Sequence, residues 1–405
     1  MIEVPEPFEF DYSPTGIVYG RGCVGKLGDV LDRHGVERAM VVTGSNVGAN
    51  RDVMGPIEEG LGDRLVAVFD ETTPEKYLKT VLDGVELMAE CDADVLVGVG
   101  GGSSLNVTRA MCAIAPLGWS RERVVEAVVS TRDVPSPEEE EALVPNVVVP
   151  TTMPGADVSA GGSVFVAAAD LPSDAAVSGR IDATISDPRL IAEANVYDPD
   201  LYATTPTGPL VSSAMNGFDK GIETLYSSES TPIANAHAIK ALQHYRAGLP
   251  SLVEATPDDV AYDHAVLATV LVQYGRKTNI VHTFGNGISL HYDVQQGAVH
   301  SIVVPHVLRY VFDAAYAHRH RIAEGLSIDV EGMDDDAVAE AIIDEVLVVR
   351  DALGLPRRLR EIDGMERDHF EAVTEDILNN HKHARNPPGI DPTVEDVVTV
   401  LEAAW

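Results

Sequence analysis

A run of glycine and serine residues follows a short apolar segment near residue 100. The segment 95–99 is rich in valine, and Gly100-Gly-Gly-Ser-Ser104 separates it from a helical pattern. Glycine lets the backbone come close to an anion, and the first amides of the following helix offer unpaired N–H groups at the positive end of its dipole. The pattern predicts a phosphate site, with the pyrophosphate of a dinucleotide as the expected ligand. An ordinary glycine-rich turn between a strand and a helix is the alternative.

Apolar segments alternate with helical patterns through the first half of the chain. Strands are expected at 38–43, 65–69, 95–100 and 146–150, and a helix at 75–89. This alternation is typical of an α/β fold with a parallel sheet, in which ligands bind beyond the carboxyl ends of the strands. Helical periodicity dominates after a proline- and glycine-rich break at 203–209. We therefore predict a dinucleotide-binding α/β domain at 1–205 and an all-helical metal and substrate domain at 206–405.

The segment Gly100–Arg109 resembles the GGGSxxDxxK element of the iron-containing, or group III, alcohol dehydrogenases. Further segments resemble that family in the same order along the chain: Pro150-Thr-Thr152, Asp198–Leu201, Asn216–Glu223, Val281-His282, Gln296-Gly297, Val303–His306, Leu353–Pro356 and Asn386-Pro387. The resemblance implies a Rossmann-like parallel sheet, an all-α C-terminal domain and the dehydroquinate synthase-like architecture. It also implies an NAD(P)-dependent alcohol dehydrogenase, which transfers a hydride between the nicotinamide and a small alcohol, aldehyde or ketone.

The metal-binding pattern of that family is altered in this chain. The family pattern is Asp-x-x-x-His on a helix, followed by two histidines about fourteen residues apart. Asp219 and His282 match the first and third ligands. Glu223 and Gln296 stand at the other two ligand positions. Asn286 stands where the family has a further histidine between the third and fourth ligands. The resemblance implies a divalent metal ion, with Asp219 and His282 acting on the substrate oxygen and a ligand set of Asp219, Glu223, His282 and Gln296.

Two alternatives stay open for the group that polarises the substrate oxygen. If an ion is bound, His291 or His300 is a displaced candidate for the fourth ligand. If none is bound, a donor such as Lys220, His282 or His291 stabilises the developing oxyanion instead. Carboxylates suit iron, manganese and zinc alike, so the residue types leave the metal unnamed.

The end of the first predicted strand bears on the choice of cofactor. A carboxylate at this place accepts hydrogen bonds from the ribose 2′-hydroxyl of NAD and repels the 2′-phosphate of NADP. This chain has Gly44, Ser45 and Asn46 there. We therefore favour NADP(H) over NAD(H). The residues predicted to hold the dinucleotide are Gly44, Ser45, Asn46, Gly100, Gly101, Gly102, Ser103, Ser104, Asn106, Thr151 and Thr152.

Acidic residues outnumber basic residues along the whole chain. There are 64 Asp and Glu against 29 Lys and Arg, which gives a formal charge of −35. This charge argues against nucleic acid and anionic membranes as partners. It predicts adaptation to a salt-rich cytoplasm, because about 1 M salt shortens the screening length to roughly 3 Å. An acidic N-terminus and the lack of an apolar run of ~20 residues favour a cytoplasmic enzyme, expected as a homo-oligomer acting on a small molecule.

Two other functions are compatible with the same architecture. A dehydroquinate synthase-like or sugar-phosphate enzyme would use NAD transiently, and Glu223 is consistent with its metal site. A catalytically silent nucleotide-binding protein would keep the glycine turn alone.

Three local features are also expected from the sequence. They are a solvated loop at 136–141, a helix that starts near Pro305 and His306, and cations at 381–385 that meet a phosphate or an acidic substrate.

Overall fold

Valine-rich segments of the N-terminal half form a six-stranded parallel sheet. The computed structural model describes Phe8, Phe10 and residues 15–171, 180–254, 260–315 and 317–405. Its strands are β1 (Gly16–Tyr19), β2 (Ala39–Gly44), β3 (Leu65–Thr72), β4 (Val95–Gly100), β5 (Asn146–Pro150), β6 (Gly161–Val166), β7 (Ile181–Ser186) and β8 (Ala194–Tyr197). The sheet order is β1-β8-β5-β4-β2-β3 with every neighbouring pair parallel, and β6 and β7 form a separate antiparallel hairpin.

Helices cover both faces of this sheet. They are α1 (Leu27–His34), α2 (Ser45–Gly48), α3 (Arg51–Leu61), α4 (Leu78–Glu90), α5 (Gly102–Ile114), α6 (Arg121–Thr131) and α7 (Pro199–Tyr202). Alternate residues of β2 enter two different cores: Met40 packs with residues of α4 and α5, and Val41 packs with residues of α1 and α3. Because both faces of the central strands are buried, their sequences are nearly continuous apolar runs.

The carboxyl ends of β2 and β4 lie where the chain reverses its direction across the sheet. β3 pairs with one edge of β2, and β4 pairs with the other. The helices that follow the two strands cover opposite faces, since α3 belongs to one core and α5 to the other. In open α/β sheets, such a reversal leaves a crevice in which ligands bind.

Helices alone make up the described regular structure of the C-terminal unit. Contacts divide the chain into two compact units, Ser13–Thr205 and Pro206–Trp405, and the second also includes Phe8 and Phe10. The helices are α8 (Thr207–Tyr226), α9 (Pro232–Gly248), α10 (Ala261–Gln273), α11 (Ile280–His291), α12 (Gln296–Ala314), α13 (Arg319–Gly325), α14 (Asp335–Ala352), α15 (Phe370–Leu378) and α16 (Val394–Ala404). None of the helices in the described residues is long and apolar enough to cross a membrane.

Helix α8 is the central helix of this unit. Its residues from Leu210 to Tyr226 are all buried, and it packs against α9, α10 and α12. Glycine permits these close approaches. A Cβ on Gly297 of α12 would lie 1.6 Å from the carbonyl oxygen of Ser212, and a Cβ on Gly221 would lie 2.8 Å from the side chain of Leu242.

One local expectation is wrong. Pro305 and His306 do not start a helix, because α12 already begins at Gln296 and Pro305 lies inside it. The loop at 136–141 has exposed glutamates, as expected of a solvated connection, and it is also held by one arginine. Arg189 donates hydrogen bonds to the carbonyl oxygens of Pro137, Glu138 and Glu141, and it is paired with Asp187. One arginine thus supplies hydrogen-bond donors to several carbonyl groups of the loop.

Candidate functional site

The glycine turn after β4 leaves a helix N-terminus without a side-chain cap. Gly100 adopts a left-handed φ of 123°, and Gly101 is the N-cap of α5 with no side chain to accept a hydrogen bond. The first turn of α5 contains no acidic residue, so its free amides face no competing carboxylate. Such an N-terminus favours an anion through both hydrogen bonds and the helix dipole. The geometry is the one that a phosphate requires.

The turn after β5 lies directly against this glycine turn. The backbone N–H of Thr151 donates to the carbonyl oxygen of Gly100 at 3.1 Å, and a Cβ on Gly101 would lie 3.5 Å from the hydroxyl of Thr152. Ser104 is turned towards β3, where its hydroxyl lies 2.7 Å from that of Thr72. The residues predicted from two separate segments therefore meet at one edge of the sheet.

Asn106 lies one turn further along α5 and is engaged elsewhere. Its side-chain oxygen accepts a hydrogen bond from Arg109 at 3.3 Å. A Cβ on Gly162 of β6 would lie 2.3 Å from the same oxygen, so Asn106 packs closely against the hairpin. The side chain of Asn106 is therefore already in contact with neighbouring protein groups. Its assignment to the dinucleotide stays a prediction.

The turn after β2 offers small, exposed polar groups. Gly44 ends the strand and caps the short helix α2, and Ser45 and Asn46 are exposed. A Cβ on Gly44 would lie 3.1 Å from the carbonyl oxygen of Thr72, so little space remains on that side. The turn carries no carboxylate of its own. It is therefore compatible with a negatively charged group.

Three side chains from three helices converge in the core of the C-terminal unit. Asp219 comes from α8, His282 from α11 and His300 from α12, and one ligand atom of each lies within 4.8 Å of the others. Asp219 Oδ2 lies 3.2 Å from His282 Nδ1 and 3.2 Å from His300 Nδ1. All three residues are buried. Among the described residues, this is the one group of metal-ligating side chains so arranged.

Polar atoms of this cluster lack hydrogen-bond partners. They are both carboxylate oxygens of Asp219, Nε2 of His282, and both ring nitrogens of His300. Burial, followed by the charge of Glu223, raises the pKa of Asp219 well above its usual range. Burial is also the main reason why the pKa values of His282 and His300 fall well below theirs. Buried polar atoms without partners are costly, and a divalent cation would supply the missing partner. The cluster therefore fits a metal ion.

Glu223 uses its carboxylate to hold α11 and His282. Oε1 accepts backbone N–H groups from Asn279, Val281 and His282 at 3.1, 2.7 and 3.2 Å. Oε2 pairs with Nδ1 of His282. A carboxylate is well placed at the N-terminus of a helix because of the helix dipole. A histidine whose Nδ1–H donates to a carboxylate presents Nε2 with its lone pair free, which is the usual arrangement behind a metal ligand.

The amide of Gln296 is engaged with a neighbour. Its nitrogen donates to Asn286 Oδ1 at 2.7 Å. His300 lies one helical turn beyond Gln296 on α12, and Gly285 makes room for its ring, since a Cβ there would lie 2.3 Å from His300 Nε2. His291 pairs with Asp376 at the surface at 2.7 Å.

The structure thus brings Asp219 and His282 together, as the sequence predicted, and adds His300. Sequence reasoning gave His300 only as a displaced candidate. The available signal was its spacing of one helical turn from Gln296, which places both residues on the same face of a helix. Both carboxylate oxygens of Glu223 and the amide nitrogen of Gln296 already have partners, and the assignment of these two residues as ligands stays a prediction.

Comparison with known proteins agrees with the two units. Residues 14–199 match the family described as iron-containing alcohol dehydrogenase, and residues 210–405 match the C-terminal part of the Fe-containing alcohol dehydrogenase family. An NAD-dependent methanol dehydrogenase of Bacillus methanolicus is 26% identical over 97% of this chain and 99% of its own length. The lactaldehyde reductase of Escherichia coli K12 is 24% identical over 96% and 97%. A crystal structure of 1,3-propanediol oxidoreductase superposes with a TM-score of 0.83 at 20% identity, covering 98% of this chain and 100% of the other.

The N-terminal unit has an open parallel sheet with an uncapped helix N-terminus, and the C-terminal unit has a buried Asp-His-His cluster among its helices. These features are typical of a class of nicotinamide-dependent oxidoreductases. The chain belongs to the iron-containing alcohol dehydrogenase family. It is an NAD(P)-dependent oxidoreductase that transfers a hydride between the cofactor and a small alcohol, aldehyde or ketone. The predicted fold class and family resemblance are confirmed.

Proposed function

We propose that this oxidoreductase polarises its substrate with a divalent ion held by Asp219, His282 and His300. The observation that carries the proposal is the set of buried polar atoms of these residues that lack partners. An oxygen and nitrogen ligand set suits iron, zinc and manganese. This assignment revises the ligand set expected from the family pattern, because His300 takes the place that Gln296 was given.

Each residue of the site has a defined task in this proposal. Asp219, His282 and His300 would hold the ion, and Glu223 would fix the ring of His282 through its contact with Nδ1. A bound ion would act as a Lewis acid towards the carbonyl or alcohol oxygen. Burial of the cluster excludes water, which strengthens the electrostatic effect of every charge nearby.

The nicotinamide cofactor carries the hydride, and the N-terminal unit would bind its phosphates. The uncapped amides of α5 are proposed to hold the pyrophosphate, with Thr151 and Thr152 beside it. NADP(H) is proposed as the preferred cofactor, since the turn Gly44 to Asn46 carries no carboxylate to repel a 2′-phosphate.

The metal assignment is tested by elemental analysis of protein purified without chelators. We expect about one ion per chain in the unaltered protein and loss of it in Asp219→Ala and His300→Gln, with cofactor binding retained. Gln296→Ala is the matched control, because it removes an amide one turn away, and it should keep the metal. Active protein that holds no metal and ignores chelators would instead favour polarisation by hydrogen-bond donors of the same site.

Net oxidation of NAD(P)H by an aldehyde also separates this function from the two alternatives. A synthase-like enzyme would bind the cofactor without consuming it, and a silent binding protein would show no turnover. Cytoplasmic location and a homo-oligomeric state remain predictions, which cell fractionation and light scattering coupled to size-exclusion chromatography would check.

A further inference from the structure

A short basic 3₁₀ helix, His381–Arg385, packs against α11 in the C-terminal unit. Its position is fixed at its end by two hydrogen bonds: the backbone N–H of Ser228 and the hydroxyl of Ser227 both donate to the carbonyl oxygen of Arg385 at 3.1 Å. His383 adds a contact of 2.9 Å between Nε2 and the carbonyl oxygen of Ile377. The segment is therefore a positioned part of the fold.

Lys382 of this segment carries a half-buried ammonium group. No hydrogen bond or ion pair of that group is found within the described part of the chain. The neighbouring cations Arg385 and Lys277 are also half-buried, but both pair with Glu229, at 3.0 and 3.5 Å. Burial lowers the pKa of Lys382, and the charge of Glu223 opposes this change. A half-buried ammonium without a protein partner is available to an anionic ligand, which would supply the counter-charge.

The segment that carries Lys382 packs against α11, the helix that carries His282. The charge of Lys382 is one of the smaller causes, after burial, of the lowered pKa values of His282 and His300. Lys220 and Arg276 act on His282 in the same direction. In a chain with a formal charge of −35 and seven lysines, these three cations partly offset the carboxylates of Asp219 and Glu223 at the site. Local positive charge in an acidic protein attracts anions to that place.

We propose that the site takes a carbonyl substrate that carries a second, anionic group, a carboxylate in the first instance, and that Lys382 binds this group. The inference rests on the function proposed above, because it takes the reacting carbonyl to lie at the Asp219, His282 and His300 cluster. A charge-assisted hydrogen bond from the ammonium to the carboxylate would orient the substrate while its carbonyl faces the cluster.

The test compares two aldehydes of equal chain length, 4-oxobutanoate and butanal, at constant ionic strength. We expect the unaltered enzyme to prefer 4-oxobutanoate in kcat/KM. Lys382→Gln should lower kcat/KM for 4-oxobutanoate about 10- to 100-fold, mainly through KM, and leave that for butanal within about twofold. Lys277→Gln is the matched control, since it removes a half-buried lysine that is already paired with Glu229, and it should change kcat/KM for neither aldehyde.

A binding measurement gives a readout that does not depend on turnover. Succinate should raise the melting temperature of the unaltered protein and not that of Lys382→Gln, with KCl of equal ionic strength as the reference. Equal preference for the two aldehydes, or an equal loss for both in Lys382→Gln, would overturn the inference. If neither aldehyde is reduced, the proposed function fails, and the succinate measurement alone then decides whether Lys382 is an anion site.

Discussion

At the residue scale, the ligands of the buried cluster depend on side chains that do not themselves face an ion. Glu223 accepts three backbone N–H groups at the start of α11 and pairs with His282. One carboxylate therefore fixes both the helix and the imidazole it carries. This explains how an acidic residue replaces a ligand of the family pattern without loss of order in the site.

Glu223→Gln should weaken metal binding while keeping the fold. Glutamine retains an oxygen for the amides of α11 but loses the charge that orients His282, so we expect metal affinity to fall about 10- to 100-fold. Competition with a chelator of known affinity measures this. Glu229→Gln, which alters an exposed carboxylate of the same unit, serves as control. Unchanged affinity in Glu223→Gln would show that packing alone orients the ring.

Gly44→Asp should shift cofactor preference towards NAD(H). A carboxylate after β2 would accept bonds from a ribose hydroxyl and repel a 2′-phosphate, so the ratio of kcat/KM for NADPH to that for NADH should fall more than about tenfold. Gly44→Ala tests the added Cβ alone, which meets the carbonyl oxygen of Thr72 at 3.1 Å. The two ratios are measured at one salt concentration, because screening weakens the repulsion. An unaltered enzyme that already prefers NADH would contradict the proposal.

Sequence predicted the site in part. Asp219 and His282 were recoverable because they match ligand positions in the pattern of the family that the chain resembles. The role of Glu223 was not, since its partners are backbone amides of α11, and that helix was not predicted. α11 is apolar around most of its circumference and buried, so it lacks the one-sided periodicity that marks a surface helix. Lys382 was recognised only as part of a basic segment.

At the element scale, strands were predicted more accurately than loops. β4 and β5 coincide with the expected segments, because strands buried on both faces are marked by β-branched runs with clear turn residues at each end. The loop at 136–141 could not be predicted, since its order depends on Arg189, about fifty residues further along the chain.

Asp187→Asn should destabilise the N-terminal unit in a pH-dependent way. Arg189, together with Ser136, lowers the pKa of Asp187 to about 2. A carboxyl whose pKa is lowered by folding stabilises the protein above its unfolded pKa, near 4, and the effect is lost as pH falls towards 2. We expect a loss of about 2 kcal/mol at pH 7 and a clearly smaller difference at pH 3.

Denaturant unfolding followed by the fluorescence of Trp119 measures this loss. The chain has two tryptophans, so a Trp405→Phe background leaves a probe in the N-terminal unit alone. Asp182→Asn in the same background is the control, because Asp182 forms an ion pair at the surface. A difference that does not change between pH 7 and pH 3 would mean that Asp187 acts through its shape and not through its charge.

At the scale of the whole molecule, the fold could be predicted from the order of its elements and the family resemblance. We expect the net charge to make the stability of that fold depend on salt. The described ion pairs are mostly exposed, and such pairs stabilise weakly. They do not offset a formal charge of −35. Self-repulsion of this size favours expansion of the chain unless salt screens it.

The melting temperature should therefore rise with KCl. Most of the rise is expected between about 0.1 and 1 M, over which the screening length falls from roughly 10 to 3 Å. Sucrose at matched osmolality is the control, since it stabilises by exclusion without screening charge. A melting temperature that is the same in dilute buffer and in molar KCl would refute adaptation to salt.

The space beside Gly285 decides which side chain α12 can place against α11. A Cβ on residue 285 would lie 2.3 Å from His300 Nε2, so the imidazole occupies the volume that a side chain at 285 would need. The two helices therefore share one small volume, and the absence of a side chain on α11 is matched by a ring on α12. The amide pair of Gln296 and Asn286 joins the same two helices through its own hydrogen bond, one turn earlier on α12.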